Sequence, residues 1–386
     1  MDPIPYSRQD VDDDDVAAVV AALRSDFLTQ GPVVPAFERA VAARHRVAHG
    51  VAVSNATAAL HLACLGLGIG PGSRVWTSPN SFVASANCAR YCGAEVDFVD
   101  IDPGTRNLSI GALEARLDAA SRTGTLPDLV VPVDFAGLPC EGRALRALAD
   151  RWGFRLLEDA SHALGASCEG APVGHRHADA TVFSFHAVKI VTTGEGGMVV
   201  TQDGALAERL RELRSHGITR DPARWRTRGE GAWWYEQHAL GHNARMTELQ
   251  AALGLSQLRR LDAMHARREA LAARYDRLLA DLPVRLPARP ADRRSAWHLY
   301  CIELRSGDRA AVFDAMRAAG IGVNVHYIPI HLQPYWRDLG FGPGHCPAAE
   351  AYYRHAITLP LHPRLDEAQQ DRVVRALADA LSAVPA

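Results

Sequence analysis

Hydrophobic positions follow one rhythm in the first part of this chain and another in the last. From about Val51 to Thr201, short β-branched and aliphatic runs alternate with longer stretches of helical period. The short runs predict strands over Arg74–Thr77, Glu95–Val99, Leu129–Val133, Arg155–Leu157, Thr181–Phe185 and Met198–Thr201. Between them Asn55–Leu67, Ile110–Ala120 and Gly142–Trp152 read as helices. Such alternation predicts an α/β domain around a mainly parallel sheet. Upstream, the acidic run Asp12–Asp15 precedes the apolar stretch Val16–Leu23, which suits the positive end of a helix dipole.

After Gly241 the pattern changes. Thr247–Ala280 is a long Leu/Ala/Arg-rich helical stretch, with a break expected near Leu261–Asp262. A Pro-rich connector (Leu282–Pro290), a strand at Leu299–Leu304 and helices at Asp308–Ala319 and Asp366–Leu381 complete the chain. The expected organisation is an N-terminal segment with a large domain over 1–245, then a connecting helix and a smaller C-terminal α/β domain over 246–386.

Composition narrows the function more than the fold. With 48% hydrophobic and 22% charged residues among 386, the chain has ample material for a core. Forty-two Lys and Arg against 44 Asp and Glu leave a net charge of −2, no footprint for nucleic acid or an anionic membrane. Any bound anion must be held by local geometry. The 7 cysteines form no CxxC pair, the start of the chain is acidic, and apolar runs such as Ala59–Ile69 are too short to span a bilayer. The expected location is the cytoplasm.

Candidate chemistry collects where strands end. Asp159, in EDASH (Glu158–His162), follows an apolar strand, at the edge where open parallel sheets bind ligands. A carboxylate there can bind a metal, act as a base, hold a protonated ring nitrogen, or simply cap a helix. SFHAVKIVTTGEGG (Ser184–Gly197) also lies just past a strand, and its Lys189 is the only lysine in the chain. Arg serves every other cationic position, so the retained Lys points to chemistry a guanidinium cannot perform, such as condensation with a carbonyl. Burial would lower its pKa and favour the nucleophilic amine. GEGG fits neither GxGxxG nor a phosphate-loop motif, so these glycines read as tight turns. In SNATAAL (Ser54–Leu60) a helix begins at small residues, including Ala56 and Thr57; its free N–H groups could hold phosphate or be an ordinary cap. Phe82 could stack on a planar ring or pack in the core, and Asn243 and Arg245 precede the long helix, where polar residues usually face solvent.

Together these segments resemble the sugar aminotransferases of the DegT/DnrJ/EryC1/StrS family, fold-type I enzymes dependent on pyridoxal 5'-phosphate (PLP). The likeness runs through LTQGP (Leu28–Pro32), FERAVA (Phe37–Ala42), SNATAALHLA, EDASHALGA, SFHAVK, GEGGMVVT, GHNARMTELQAALGLSQL, WHLY, NVHYIPIHLQPYW and LPLHP. Within the family, IPYSRQD (Ile4–Asp10), SDFLTQGP (Ser25–Pro32), His162 and SFHAVK look most like the PseC type, the UDP-4-amino-4,6-dideoxy-N-acetyl-β-L-altrosamine transaminases of pseudaminic acid synthesis; most members carry Gln where this chain has His162. The resemblance implies that Lys189 carries the cofactor, that Asp159 pairs with its pyridinium nitrogen, and that His162 approaches the ring hydroxyl. It implies that Phe82 stacks on the ring, and that Ser184, Ala56 and Thr57 hold the phosphate. Asn243 would reach the neighbouring subunit's cofactor, making a homodimer the active unit. Tyr6, Asp26, Phe27, Leu28, Thr29, Val325, His326, Tyr327 and Ile328, with Ala56 and Ser184, would surround a UDP-linked keto sugar. L-glutamate is the amino donor it implies.

Other readings stay open at this point. Deoxygenating relatives place His at the anchoring position, where this chain has Lys189. A dTDP-linked 3- or 4-keto hexose could replace the UDP sugar, and a non-catalytic PLP-binding regulator would keep the fold. A metal protein using His175, His177, His326 and His331 has no recognised ligand spacing, so no metal is expected.

Overall fold

A computed structural model describes residues 2–383. Seven strands form the large sheet: β1 (His49–Val53), β2 (Arg74–Thr77), β3 (Glu95–Phe98), β4 (Leu129–Val131), β5 (Arg155–Asp159), β6 (Ala180–Ser184) and β7 (Gly197–Thr201). Their order is β1-β7-β6-β5-β4-β2-β3. Each pair is parallel except those of β7, which runs against both β6 and β1. The cause is local: Phe185–Gly196, between β6 and β7, contains no helix, and a parallel return needs a crossover. The sheet is therefore mixed, with every residue of β4, β6 and β7 buried, as continuous apolar strands between helical layers require.

Helices cover it in separate apolar clusters. One joins Ala56–Gly66, Ala84–Tyr91 and Gly204–Leu213, and another joins Ile110–Thr123 with Gly142–Trp152. Helix Ala84–Tyr91 has no counterpart among the expected elements. Its Ala, Ser and Cys residues give little apolar periodicity but allow close packing on the neighbouring helix.

A second, smaller sheet joins Val284–Arg285, Tyr300–Leu304 and Ala356–Leu359, all antiparallel. Its core includes Tyr275, Val312, Val373 and Leu377 from helices Leu261–Leu278, Arg309–Ala318 and Glu367–Ala383. Ile4, from the far end of the chain, packs into this core and pairs with Ile321.

The long stretch expected after Gly241 is two helices, Glu248–Leu258 and Leu261–Leu278, with the break expected near Leu261–Asp262 falling at Arg259–Arg260. Asp10, Asp12 and Asp15 hold the Arg260 guanidinium at 3.4, 2.9 and 2.6 Å, which fixes the break against the first helix, Asp13–Leu23. Asp12 caps that first helix in a capping box with Asp15. Strand ends also shift: β3 stops at Phe98 and β4 at Val131, while β5 continues to Asp159. Among the described residues no helix is long and apolar enough to cross a membrane.

The register decides where side chains meet. Gly197 lies opposite both Val53 and Ser184, so the ends of β1 and β6 and the start of β7 stand abreast. A Cβ on Gly197 would fall 2.6 Å from the amide of Ala56 and the carbonyl of Asn55. We expect Gly197→Ala to lower stability by about 1–3 kcal/mol, the usual cost of overpacking a rigid contact. Urea unfolding of the cofactor-free protein measures it, and an unchanged midpoint would contradict the close approach.

Candidate active site

The turn after β1 leads directly into helix Ala56–Gly66. Asn55 caps it, its Oδ1 accepting the amide of Ala58 at 2.8 Å. The amides of Ala56 and Thr57 have no carbonyl behind them, as at any helix start, and they stand beside Ser184 through the Gly197 register. Free amides at a helix start can hold an anion without a cationic side chain, which suits the near-neutral composition.

Asp159 ends β5 opposite Val182, near the same edge, and is buried. Its carboxylate accepts the Ser85 hydroxyl at 2.6 Å, the Ser161 hydroxyl at 2.6 Å and the Ser161 amide at 3.1 Å. Those donors aim it and hold it. Two other carboxyls crowd the place: burial first, then the charge of Glu158, pushes Asp134 well up. Burial lifts Glu158 to about 7 against a hydrogen bond from Thr181. Near neutral pH these neighbours therefore shed charge that would otherwise repel Asp159.

Lys189 sits on the β6–β7 loop. Its amide donates to the His186 carbonyl at 2.9 Å, and the adjacent Val188 carbonyl accepts the Ser7 hydroxyl at 3.4 Å. Desolvation pulls the Lys189 ammonium down to about 8, while the charge of Asp159 works the other way. Roughly a tenth of the side chain is thus the free amine at pH 7, far more than for an ordinary lysine, and this is the form that attacks a carbonyl.

Around that lysine stand imidazoles. His162 is buried, and its Nε2 lies 3.3 Å from the Tyr327 hydroxyl. Its ring centroid is 4.4 Å from that of His298. Burial, then the positive charge of Lys189, drives both His162 and His298 well below the usual imidazole range, and takes His326 to about 3. The Nδ1 atoms of His162 and His298 are buried without a protein partner. Buried polar atoms of this kind call for a partner, which a bound ligand or a water can supply.

Of the residues singled out in the sequence, Lys189, Asp159, His162, Ser184, Ala56 and Thr57 come together with His326 and Tyr327 at this end of the sheet. The Tyr6 ring lies 5.7 Å from His326. Phe82 is 60% exposed, and the helix that follows it supplies Ser85 to Asp159. Val325 is half-buried and Ile328 exposed on the segment that carries Tyr327. Asp26, Phe27, Leu28, Thr29 and Asn243 are exposed, and no hydrogen bond joins them to Lys189, Asp159 or His162. The four histidines of the metal reading are scattered: His175 contacts the Arg46 carbonyl, His177 stacks near Gly142, His326 contacts Thr358 and His331 contacts Glu350.

Sequence reasoning missed Ser85 and His298. Ser85 lies one helical turn after Phe82 in a segment already singled out, so its spacing was a usable signal once the helix was known. His298, in WHLY, gave none beyond the motif itself.

A single half-buried lysine within the field of a buried carboxylate, beside a helix start at one edge of a mixed sheet, suits an enzyme that works through a carbonyl-bearing phosphorylated cofactor. The chain belongs to the DegT/DnrJ/EryC1/StrS aminotransferase family, whose model matches residues 9–378. It is 39% identical over 384 residues to the spore coat polysaccharide biosynthesis protein SpsC of Bacillus subtilis, covering 97% of this chain and 96% of that one. The PLP form of the putative sugar aminotransferase Spr1654 from Streptococcus pneumoniae superposes with a TM-score of 0.88 at 29% identity, over 98% of this chain and 99% of that chain. PseC of Helicobacter pylori, an aminotransferase of pseudaminic acid biosynthesis, superposes with a TM-score of 0.89 at 31% identity, over 98% and 99%. The protein is a PLP-dependent sugar aminotransferase with the fold-type I architecture.

The lysine's environment has a consequence for stability. Folded Lys189 titrates near 8, below its ordinary value of 10.5, so between those pH values the unfolded chain binds more protons. The cofactor-free protein should therefore gain stability from this group as pH rises from about 8 to 10.5. Lys189→Met should remove that part of the gain in urea melts across this range. Parallel pH profiles for the two proteins would contradict a desolvated lysine.

Proposed function

We propose that this enzyme moves an amino group from L-glutamate to C4 of a UDP-linked 4-keto-6-deoxy-N-acetylhexosamine, in pseudaminic acid or related amino-sugar synthesis. The observation that carries this reading is His162, buried beside Lys189 with a free Nδ1, where most of the family has Gln. IPYSRQD and SDFLTQGP, and the match to PseC over nearly the whole chain, support the same choice.

The cofactor, when bound, supplies an electron sink for breaking a C–H bond next to nitrogen. The residues of this chain do the rest. Ala56, Thr57 and Ser184 hold the phosphate, Asp159 keeps the proton on the ring nitrogen, and Phe82 covers the ring face. His162 donates to the ring oxygen. Lys189 would hold the cofactor through its amine; once displaced by the donor, its Nζ would carry the proton from the donor's amino carbon to the cofactor carbon that bears the nitrogen. In the second half-reaction it would carry a proton from that carbon to C4 of the sugar. Proton transfer of this kind contributes ~10²–10⁴-fold.

The active unit is a homodimer in which Asn243 reaches the cofactor phosphate of the second copy. The exposed position of Asn243, and of Phe27, Leu28, Trp233 and Leu240, supports a covering partner. Tyr6, Asp26–Thr29 and Val325–Ile328 line the sugar site, shared across that interface. Seven free, buried cysteines suit a cytoplasmic enzyme.

Incubation with glutamate and either the UDP-linked 4-keto sugar or dTDP-linked keto hexoses, followed by mass spectrometry, tests the substrate. A 4-amino product from the UDP sugar is expected, and turnover of only the dTDP sugars would overturn this assignment. Asp159→Asn should bind the cofactor yet lower kcat by roughly 10²–10³-fold, as when a preorganised electrostatic partner is lost. Near-normal turnover would remove Asp159 from its role.

A further inference from the structure

Tyr327 touches His162 at one imidazole nitrogen, and that contact bears on which nitrogen carries the proton. The 3.3 Å contact between the Tyr327 hydroxyl and His162 Nε2 can run in either direction. If Nε2 carried the hydrogen, the Tyr327 O–H would have no acceptor among the described residues, and His162 Nδ1 would be a bare lone pair. If the hydroxyl donates to Nε2, both groups of the contact are satisfied and the hydrogen moves to Nδ1. Burial holds the Tyr327 phenol well above its usual range, so it keeps its proton to donate. A second proton on His162 is costly: Lys189 and His326 oppose a positive imidazole, and the His298 ring packs with its centroid 4.4 Å away. A neutral ring with its hydrogen on Nδ1 remains. That atom is buried with no protein partner.

We propose that Tyr327 is a positioning residue that locks His162 as the Nδ1–H tautomer, so that the imidazole is a hydrogen-bond donor to the cofactor's ring oxygen. This rests on His162 facing that oxygen, as the proposed function has it. A donor there draws electron density from the oxygen and weakens its hold on the proton shared with the cofactor's attached nitrogen. Without the lock, His162 can turn its bare Nδ1 lone pair to an oxygen that is itself negative, and the two repel.

Two readouts separate the lock from its use. In cofactor-free protein with 15N-labelled histidine, NMR should report Nδ1 as the protonated nitrogen of His162, and Tyr327→Phe should lose that preference. Protonated Nε2 in the wild type would overturn the proposal, whatever His162 faces. In the loaded protein, the pH midpoint of the bound cofactor's visible absorbance should rise by about one unit in Tyr327→Phe, the scale of one lost charge-assisted hydrogen bond. His162→Gln should abolish this sensitivity, because an amide can present its NH₂ without help from a tautomer. A double variant matching His162→Gln alone is therefore expected. An unmoved midpoint in Tyr327→Phe, with the NMR result as expected, would reject the orientation of His162 in the proposed site while leaving the tautomer lock in place. A rise of equal size in the His162→Gln background would show Tyr327 acting by another route and overturn the proposal.

Discussion

The site depends on one strand running the wrong way. β7 enters between β1 and β6 antiparallel to both, and its first residue must be glycine because the start of helix Ala56–Gly66 lies against it. Only then do the helix-start amides, Ser184 and the loop that carries Lys189 share one edge. The same short connection that forces β7 to reverse also holds the lysine, so topology and chemistry have one cause.

Electrostatics then works by subtraction. Burial lowers the proton affinity of Lys189, His162, His298 and His326, and raises that of Asp134 and Glu158. Most ionisable groups around the pocket are thereby pushed toward neutrality, and Asp159 keeps three donors on its carboxylate. In the proposed site a cofactor with a cationic ring nitrogen and an anionic phosphate would meet a counter-charge for one end and backbone dipoles for the other. Exposed pairs such as Arg44–Asp262 and Arg151–Glu114 lie on the surface and are worth little individually to stability.

Much of this was legible in the amino-acid order. The β2 strand and helix Gly142–Trp152 match their expected limits to the residue, because apolar runs bounded by turns carry a clear period. Lys189 stood out by being the sole lysine. The parts that stayed hidden depend on contacts between distant residues. The break near Leu261 was legible, but its anchoring at Arg260 by three aspartates at the other end of the chain was not. Helix Ala84–Tyr91 hides in small residues with no apolar stripe, and with it the hydrogen bond from Ser85 to Asp159. The contact between the rings of His298 and His162 joins residues far apart in the chain, which no local pattern encodes.

The central claim is that Lys189 anchors the cofactor, and a chain with a single lysine gives it an unusually clean test. Borohydride reduction of the loaded protein, followed by peptide mass mapping, should place one pyridoxyl adduct on the peptide containing Lys189 and none on Lys189→Ala. An adduct that persists in the variant, or that maps elsewhere in the wild type, would contradict the account.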